Sequence, residues 1–559
     1  MLPISCLFFI RTPLLCGAGL SLFFNSAIKR GTTFPKSLDP QFPSWYIQLT
    51  PKQVLIENLC NPRLFANGPL TLVMDLINNL ILGFSILLEP ANLFACFIGV
   101  LVGTLVGVLP GLGPAAAISL LLPTTYKLPP LTGIIVLAGI YYGAMYGGST
   151  TSILVNIPGE SASVVTCLDG YQMARQGRGG PALGIAAFGS FIAGTFSIVA
   201  LMLIAPPLAR MALKFGPPEY FSLMLLGLMI LSYLSSGSMA KAWMMAALGV
   251  FLGTIGQDRM VGTLRFTYNL DVLMDGVGLV PVVMGLFGIS EVLLNIERSV
   301  SREIFKTHLS NLLPNSQDWA RSIFPILRGS ILGFLLGVLP GGGAIISSFA
   351  SYAMEKKLSR NPEKFGTGMI EGVAGPESAN NAATGGAFVP LLTLGIPSNA
   401  IMALLMGALL VHGVRPGPLF VKQHPDLLWG VITSMYLGNA MLLVLNLPLI
   451  GLWVRILKVP YALLFPLIVL FCLIGAFSLN NLVSDIYVML IFGLLGYLLK
   501  KFEYDGAPLV LALVLSPMIE DAFRRSLLMS DGTFLIFFQR PISLFFIGVT
   551  MFLVLANFI

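Results

Sequence analysis

The sequence predicts an all-α, polytopic membrane protein of about 10–12 transmembrane helices, built as two internal repeats with broken helices or re-entrant hairpins. Three observations predict it. Of 559 residues, 56% are hydrophobic and only 10% charged, with a mean hydropathy of +0.87. The apolar residues lie in long continuous runs, and an eleven-residue motif occurs twice. Soluble domains carry about a quarter charged residues, so lipid must be the solvent for most of this chain. A β-barrel would show alternating segments of about ten residues, whereas these runs are unbroken and rich in Leu, Ile, Gly and Ala.

Taken in order, residues 1–73 read as an N-terminal extension. They are interrupted by Arg11 and by Pro35, Pro40, Pro43, Pro51 and Pro62, which prevent a long helix. Met74 is a candidate natural start, with an extra anchor helix at 1–25 as the alternative. An amphipathic stretch, 74–89, leads into apolar runs near 91–123, 131–158, 182–206, 220–236, 239–256 and 276–294. These make up a first repeat half, 74–295. A polar linker, 296–322, precedes a second half, 323–559, with runs near 323–352, 386–411, 427–455, 459–479, 484–499, 507–519 and 541–559. The basic connections 159–181, 295–322 and 355–375 are candidate cytoplasmic loops, and they account for a net charge of +7 without invoking nucleic acid. The six cysteines have no metal or CxxC spacing and read as small hydrophobes.

The duplicated motif is GTLVGVLPGLG at 103–113 and GFLLGVLPGGG at 333–343, identical at 8 of 11 positions with an offset of 230. Each copy is followed by a Gly-Gly pair and then Ile-Pro: GGSTTSILVNIPGE at 147–160 and GGAFVPLLTLGIPSN at 385–399. Both elements are expected to interrupt helices. Inside hydrocarbon an unpaired backbone group costs several kcal/mol, so broken backbone is tolerated only where protein or a wet cavity covers it. A helix restarting after Pro-Gly presents free N–H groups and about half a positive charge, which suits an anion. Pro110, Gly111 and Gly113, and Pro340, Gly341, Gly342 and Gly343, are therefore candidate substrate-binding positions. Ser149, Thr150 and Thr151, and Asn380 and Asn381, add side-chain donors. Asn156, Glu160, Glu377, Thr384, Ser398 and Asn399 are candidates for coupling to an ion, with Na+ or H+ equally suited. The competing reading is that small and hydroxylated residues simply let helices pack, and Gly99, Gly103 and Gly107 are read that way.

A charge at the bilayer centre costs about 2.5–3.5 kcal/mol on insertion scales. Glu160, Glu371, Glu377 and Asp169, all beside the breaks, are thus functional or interfacial. Lys241 and Arg328 are expected to snorkel, His412 to be interfacial, and Asp258, Arg259, Asp271 and Asp275 to form a solvated loop. No HExxH, P-loop or GxSxG motif occurs, so no enzyme or primary pump is expected and no cofactor beyond a coupling ion. A channel with duplicated re-entrant loops is the alternative to a transporter.

The segments VGVLPGLGP (106–114), GIYYGAMYGGSTTSILVNIPGE (139–160), LPGGGAIISSFASYAMEKKLS (339–359), GMIEGVAGPESANNAATGGAFVPLLTLGIPSN (368–399) and GALLVHGVRPGPLF (407–420) resemble the large membrane subunit of the bacterial tripartite tricarboxylate transporters, the TctA family. The resemblance runs from about Met74 to the C-terminus. It implies a secondary transporter of the bacterial cytoplasmic membrane, working with a small four-helix membrane subunit and a periplasmic solute-binding protein. It further implies uptake of citrate or other tri- or dicarboxylates driven by Na+ or H+.

Overall fold

A computed structural model describes residues 69–109, 113–234, 238–297, 312–341, 343–456 and 461–556. The proposed extension therefore lies almost wholly outside the described residues, as do Pro110, Gly111, Gly342 and most of the linker. Residues Val73–Ile559 form one compact unit.

The helices in chain order are α1 (Pro69–Leu87), α2 (Pro90–Val108), α3 (Gly113–Thr125), α4 (Pro130–Val155), α5 (Val164–Arg175), α6 (Gly179–Ala212), α7 (Pro217–Leu234) and α8 (Met239–Gly253). Then follow α9 (Leu279–Glu297, with a π-helical centre), α10 (Ser316–Val338), α11 (Gly343–Leu358), α12 (Glu371–Leu394) and α13 (Ala400–Val411). The last are α14 (Pro425–Asn446), α15 (Tyr461–Asn480), α16 (Val483–Lys501), α17 (Ala507–Met529) and α18 (Pro541–Ala556). Seven of them, α2, α4, α6, α9, α10, α14 and α16, are long and apolar enough to cross a membrane, and shorter apolar helices accompany them. Among the described residues, the shorter apolar helices Pro217–Ser232, Met239–Gly253, Ala400–Val411, Phe465–Ser478 and Pro541–Leu555 make up the difference from ten to twelve. At about 1.5 Å per residue, the 13, 16 and 12 residues of α3, α11 and α13 span roughly 18–24 Å, short of a hydrocarbon core of about 30 Å.

Two segments follow the same order of elements. In 90–175, α2 ends at Val108, α3 starts at Gly113, and α4 runs to a left-handed residue, Asn156 (φ 58°). In 316–411, α10 ends at a corner, α11 restarts, and α12 runs to a left-handed Gly395 (φ 69°), after which α13 begins. The long pairs pack through small residues at four-residue spacing, which places them on one helix face. A Cβ added to Gly99, Gly103 or Gly107 of α2 would lie 2.6, 2.6 or 2.2 Å from carbonyl oxygens of Val136, Ile140 or Ala144 in α4. On α10, Gly329, Gly333 and Gly337 approach carbonyls of Gly375, Ala379 and Ala383 in α12 equally closely, at 2.4, 2.2 and 2.3 Å. Packing was the expectation for Gly99, Gly103 and Gly107, and contacts bear it out. Gly333→Val is accordingly expected to destabilise by about 1–3 kcal/mol or more, because backbone cannot retreat as a side chain can. Thermal unfolding of the purified variant measures this, and an unchanged midpoint would contradict it.

The Gly-Gly pairs do not interrupt helices, contrary to the sequence expectation. Gly147-Gly148 and Gly385-Gly386 lie inside continuous α4 and α12. They are contact points: a Cβ at Gly147 would lie 2.3 Å from the Thr104 carbonyl, and one at Gly386 2.5 Å from that of Phe334. Helix interruption comes eight or nine residues later, just before Ile-Pro, which cannot continue the hydrogen-bond ladder.

Charged residues near the rims are more tightly held than sequence suggests. Arg328 does not snorkel free but forks onto Glu355, with Nε 2.9 Å from Oε1. Lys241 donates to the Phe502 carbonyl at 2.7 Å and lies over the Tyr504 ring. His412 is half-buried against the Tyr126 ring. Asp258 is buried rather than solvated. It sits in the loop of a hairpin, β1 (Gly256–Gln257) antiparallel to β2 (Leu264–Arg265), accepting from the N–H groups of Met260 (2.8 Å) and Val261 (3.1 Å) and from Arg524 (2.7 Å). Those backbone donors, helped by Arg524, hold the Asp258 carboxyl down to about 2. A depressed folded-state value means its stabilisation is present above the unfolded value of about 3.9 and is lost as pH falls from there toward 2. Hydrogen exchange of the Met260 and Val261 amides is expected to accelerate over that window in the wild type. In Asp258→Asn, whose Oδ1 can still accept from both amides but does not titrate, that acid-induced rise is expected to be absent; the same rise persisting in the variant would refute the assignment.

Candidate functional site

Two helices are buried along nearly their whole length, α4 and α12. Shielded from lipid, they can carry polar side chains, and they hold most of those singled out from sequence. Glu377, in the second turn of α12, is buried with only hydroxyl partners for its carboxylate: Ser149 of α4 donates to Oε2 at 2.5 Å and Thr166 of α5 donates to Oε1. One turn on, Asn381 donates to Ser190 of α6 at 2.7 Å and to the Glu377 carbonyl at 3.0 Å. Asn380 donates to Glu160 at 3.3 Å, while its Oδ1 has no partner.

Glu160 follows the first left-handed break. Its Oε2 accepts from the N–H of Ala162 at 2.6 Å, and Ser163 completes a capping box. It is therefore a cap, as the interfacial reading required, yet it is buried, packed over Gly148. Asn399 has the same role after the second break: its Oδ1 accepts from the Met402 N–H at 2.9 Å and starts α13. Its amide reaches the Tyr141 hydroxyl at 3.4 Å, which also meets Thr384. Thr384 itself donates to the Asn380 carbonyl at 3.0 Å.

The corner at 339–341 touches this assembly directly. The Gly341 N–H donates to the Ser398 carbonyl at 2.7 Å, and the Ser398 hydroxyl is buried without a partner. Gly341 has φ 79°, and a Cβ there would lie 2.7 Å from Leu231 Cα of α7. Beside the restarting helices the reverse holds: no described atom lies within 4 Å of a Cβ placed on Gly113 or Gly343. The restarted helices cross between segments. α3 packs on α13, and α11 packs on residues 161–163 and on α5. Breaks from both segments thus meet around Glu160, Glu377, Asn380, Ser398 and Asn399.

Other expectations separate. Thr151 donates to the Val108 carbonyl at 3.2 Å, satisfying an acceptor that the end of α2 leaves free. Asn156 has an exposed side chain and serves as the left-handed turn residue, a conformation Asn tolerates well. Asp169 is a clamp, its Oδ1 accepting from the N–H groups of Gly366, Gly368 and Met369 and its Oδ2 from Tyr352. Glu371 forks with Arg321 at 2.8 and 2.7 Å. Sequence reasoning missed Tyr141, Tyr146, Thr166, Ser190 and Asn446. Tyr146, Ser149, Thr150, Ser190 and Asn446 line a narrow cleft of about 10 Å³, and Tyr146 donates to Asn439 at 2.5 Å.

Among the described residues no Lys or Arg pairs with Glu160 or Glu377; the basic side chains bond to rim carboxylates such as Asp318, Glu355 and Glu371. A buried carboxylate without a compensating cation is costly when ionised, and lasts in that form only if something neutralises it.

The tripartite tricarboxylate transporter TctA family matches residues 93–511. The chain is 51% identical over 471 residues, 84% of its own length and 94% of the relative's, to an uncharacterized 52.8 kDa protein in the TAR-I ttuC' 3'region of Agrobacterium vitis. It is 52% identical over 217 residues, 39% of its length and 90% of the relative's, to an uncharacterized protein in the TAR-II ttuC' 3'region of that organism. No solved structure matches. With the match covering both pairs of breaks and the polar cluster between them, the chain belongs to the tripartite tricarboxylate transporter TctA family.

Proposed function

We propose that this chain is the large permease subunit of a tripartite secondary transporter in the bacterial cytoplasmic membrane. It takes up tricarboxylates or related organic acids with a cation, Na+ or H+. A periplasmic solute-binding protein delivers the acid, and a small four-helix membrane subunit completes the permease. The two segments act as repeat halves, 74–295 and 323–559, and alternating access comes from one bundle moving against the other around the breaks.

One observation carries this reading: Glu160 and Glu377 are buried at the junction of the breaks with no cationic side chain paired to them among the described residues. An organic anion entering beside two ionised carboxylates would be repelled by several kcal/mol at low dielectric. Once the carboxylates carry protons or Na+, that repulsion disappears. The unpartnered hydroxyl of Ser398, beside the 341 corner, can then donate to the acid. Cation and anion thus favour each other's binding, which is the thermodynamic content of symport.

Reconstitution with the small subunit and binding protein tests it. Proteoliposomes given an inward Na+ or H+ gradient should accumulate citrate, or another di- or tricarboxylate, above its external concentration. Flux that only ever equilibrates the acid would point to a channel and contradict the proposal.

A further inference from the structure

We propose that Glu377 is the proton-carrying carboxyl of this site, loaded and emptied through the cleft beside it with the Ser149 hydroxyl as the single relay. This rests on the reading of the chain as a cation-coupled transporter.

The first argument is burial without a countercharge. Glu377 is buried, and its carboxyl meets only the hydroxyls of Ser149, 2.5 Å from Oε2, and Thr166, beside Oε1; among the described residues no Lys or Arg pairs with it. A proton on Oε2 removes the cost of an uncompensated buried charge. The site accommodates that proton locally: Glu377 then donates to Ser149, whose own proton turns to the Met145 carbonyl at 3.4 Å, and Thr166 still donates to Oε1.

The second argument is the cleft. Its volume of about 10 Å³ is at the threshold for one water molecule. Asn446, in the last turn of α14, is 4% exposed and lines it. Its amide donates to the Leu442 carbonyl at 2.9 Å, and its Oδ1 has no partner. Ser190 accepts from Asn381, which leaves its own proton to point into the cleft. A water there finds a donor in Ser190 and an acceptor in Asn446, next to Ser149. The cleft lies beside Leu183 and Ala186, within the first two or three turns of α6, whose N-cap Arg178 pairs with Asp318. That rim carries Arg175 at the end of α5 and Arg178 at the start of α6, so the relay faces the side that the positive-inside rule makes cytoplasmic.

The transfer balances. A hydronium in the cleft gives its proton to Ser149 Oγ, the original Ser149 proton passes to Glu377 Oε2, and water remains. Unloading is the reverse. The titratable groups facing Glu377 are Tyr146 on α4, Cys167 on α5, and Glu160 across Asn380. On α10, α11 and α6 the charged residues are paired among themselves or at the rim: Arg321 with Glu371, Arg328 with Glu355, and Arg178 with Asp318.

Infrared difference spectroscopy of the full chain in lipid nanodiscs tests this without a substrate. The wild type is expected to show the carbonyl stretch of a protonated carboxylic acid, shifted by D2O and absent in Glu377→Gln. Thr166→Val should move the same band by removing its Oε1 hydrogen bond, which keeps the assignment available if the first variant does not fold. Asn446→Leu should keep the band but slow its deuterium exchange by roughly 100-fold, the lower range of what a positioned proton relay contributes. No exchangeable acid band sensitive to residue 377 or 166 overturns the proposal. So does a carboxylate band that responds to NaCl but not choline chloride, which would make Glu377 a Na+ ligand. Uphill transport without the band would sink this inference alone, and the band without uphill transport would sink the transporter reading instead.

Discussion

Glu160→Gln is expected to insert and fold normally while gradient-driven accumulation falls by about 100-fold, equivalent to about 2.7 kcal/mol. The glutamine oxygen can still accept from the Ala162 N–H, so the cap on the restarting helix survives. What disappears is one of the two buried carboxylates whose charge must be neutralised before the acid enters, and with it Glu160's share of the link between cation and acid. Glu160→Ala should behave differently. It strands the Ala162 N–H and the Asn380 amide, at about 1–3 kcal/mol for each buried donor left unpaired, and should lower the thermal midpoint as well. Comparing abundance, melting and uptake for the two variants separates the roles. Wild-type accumulation by Glu160→Gln would reduce Glu160 to a helix cap.

The second large effect contrasts two neighbouring glycines. Gly341→Ala adds a Cβ 2.7 Å from Leu231 Cα at a φ of 79°, so left-handed strain of about 1–2 kcal/mol adds to overpacking of about 1–3 kcal/mol. Loss of folded protein is expected. Gly343→Ala bears only the strain, since no described atom lies within 4 Å of its Cβ. Its fold should survive, but a methyl group would stand where the account places the anion, at the N-terminus of α11. The expected result is a KM for the acid raised at least about tenfold, or about 1.4 kcal/mol of lost binding. An unchanged KM would mean that the space beside Gly343 is not used.

Chain breaks were legible because Pro-Gly and Ile-Pro interrupt apolar runs by local chemistry, and Glu160 and Glu377 because carboxylates are rare in such runs. The rest was hidden for reasons of distance. Ser149 and Thr166 meet Glu377 across 228 and 211 residues, and no local pattern at Thr166 marks it as anything but a helix residue. Asp258 looks like a loop acid until Arg524, 266 residues away, closes over it. Gly147-Gly148 was misread as a break because two glycines weaken a helix as readily as they let another backbone approach. Only the position of α2 decides between the two.

The most direct test is a structure of the permease with its small subunit, determined in the presence of whichever acid the reconstituted system accumulates. The account predicts density for that acid bordered by Gly343, Ser398, Asn399 and Asn380, with Glu160 within reach. Density seated elsewhere, with those residues packed against one another, would contradict it.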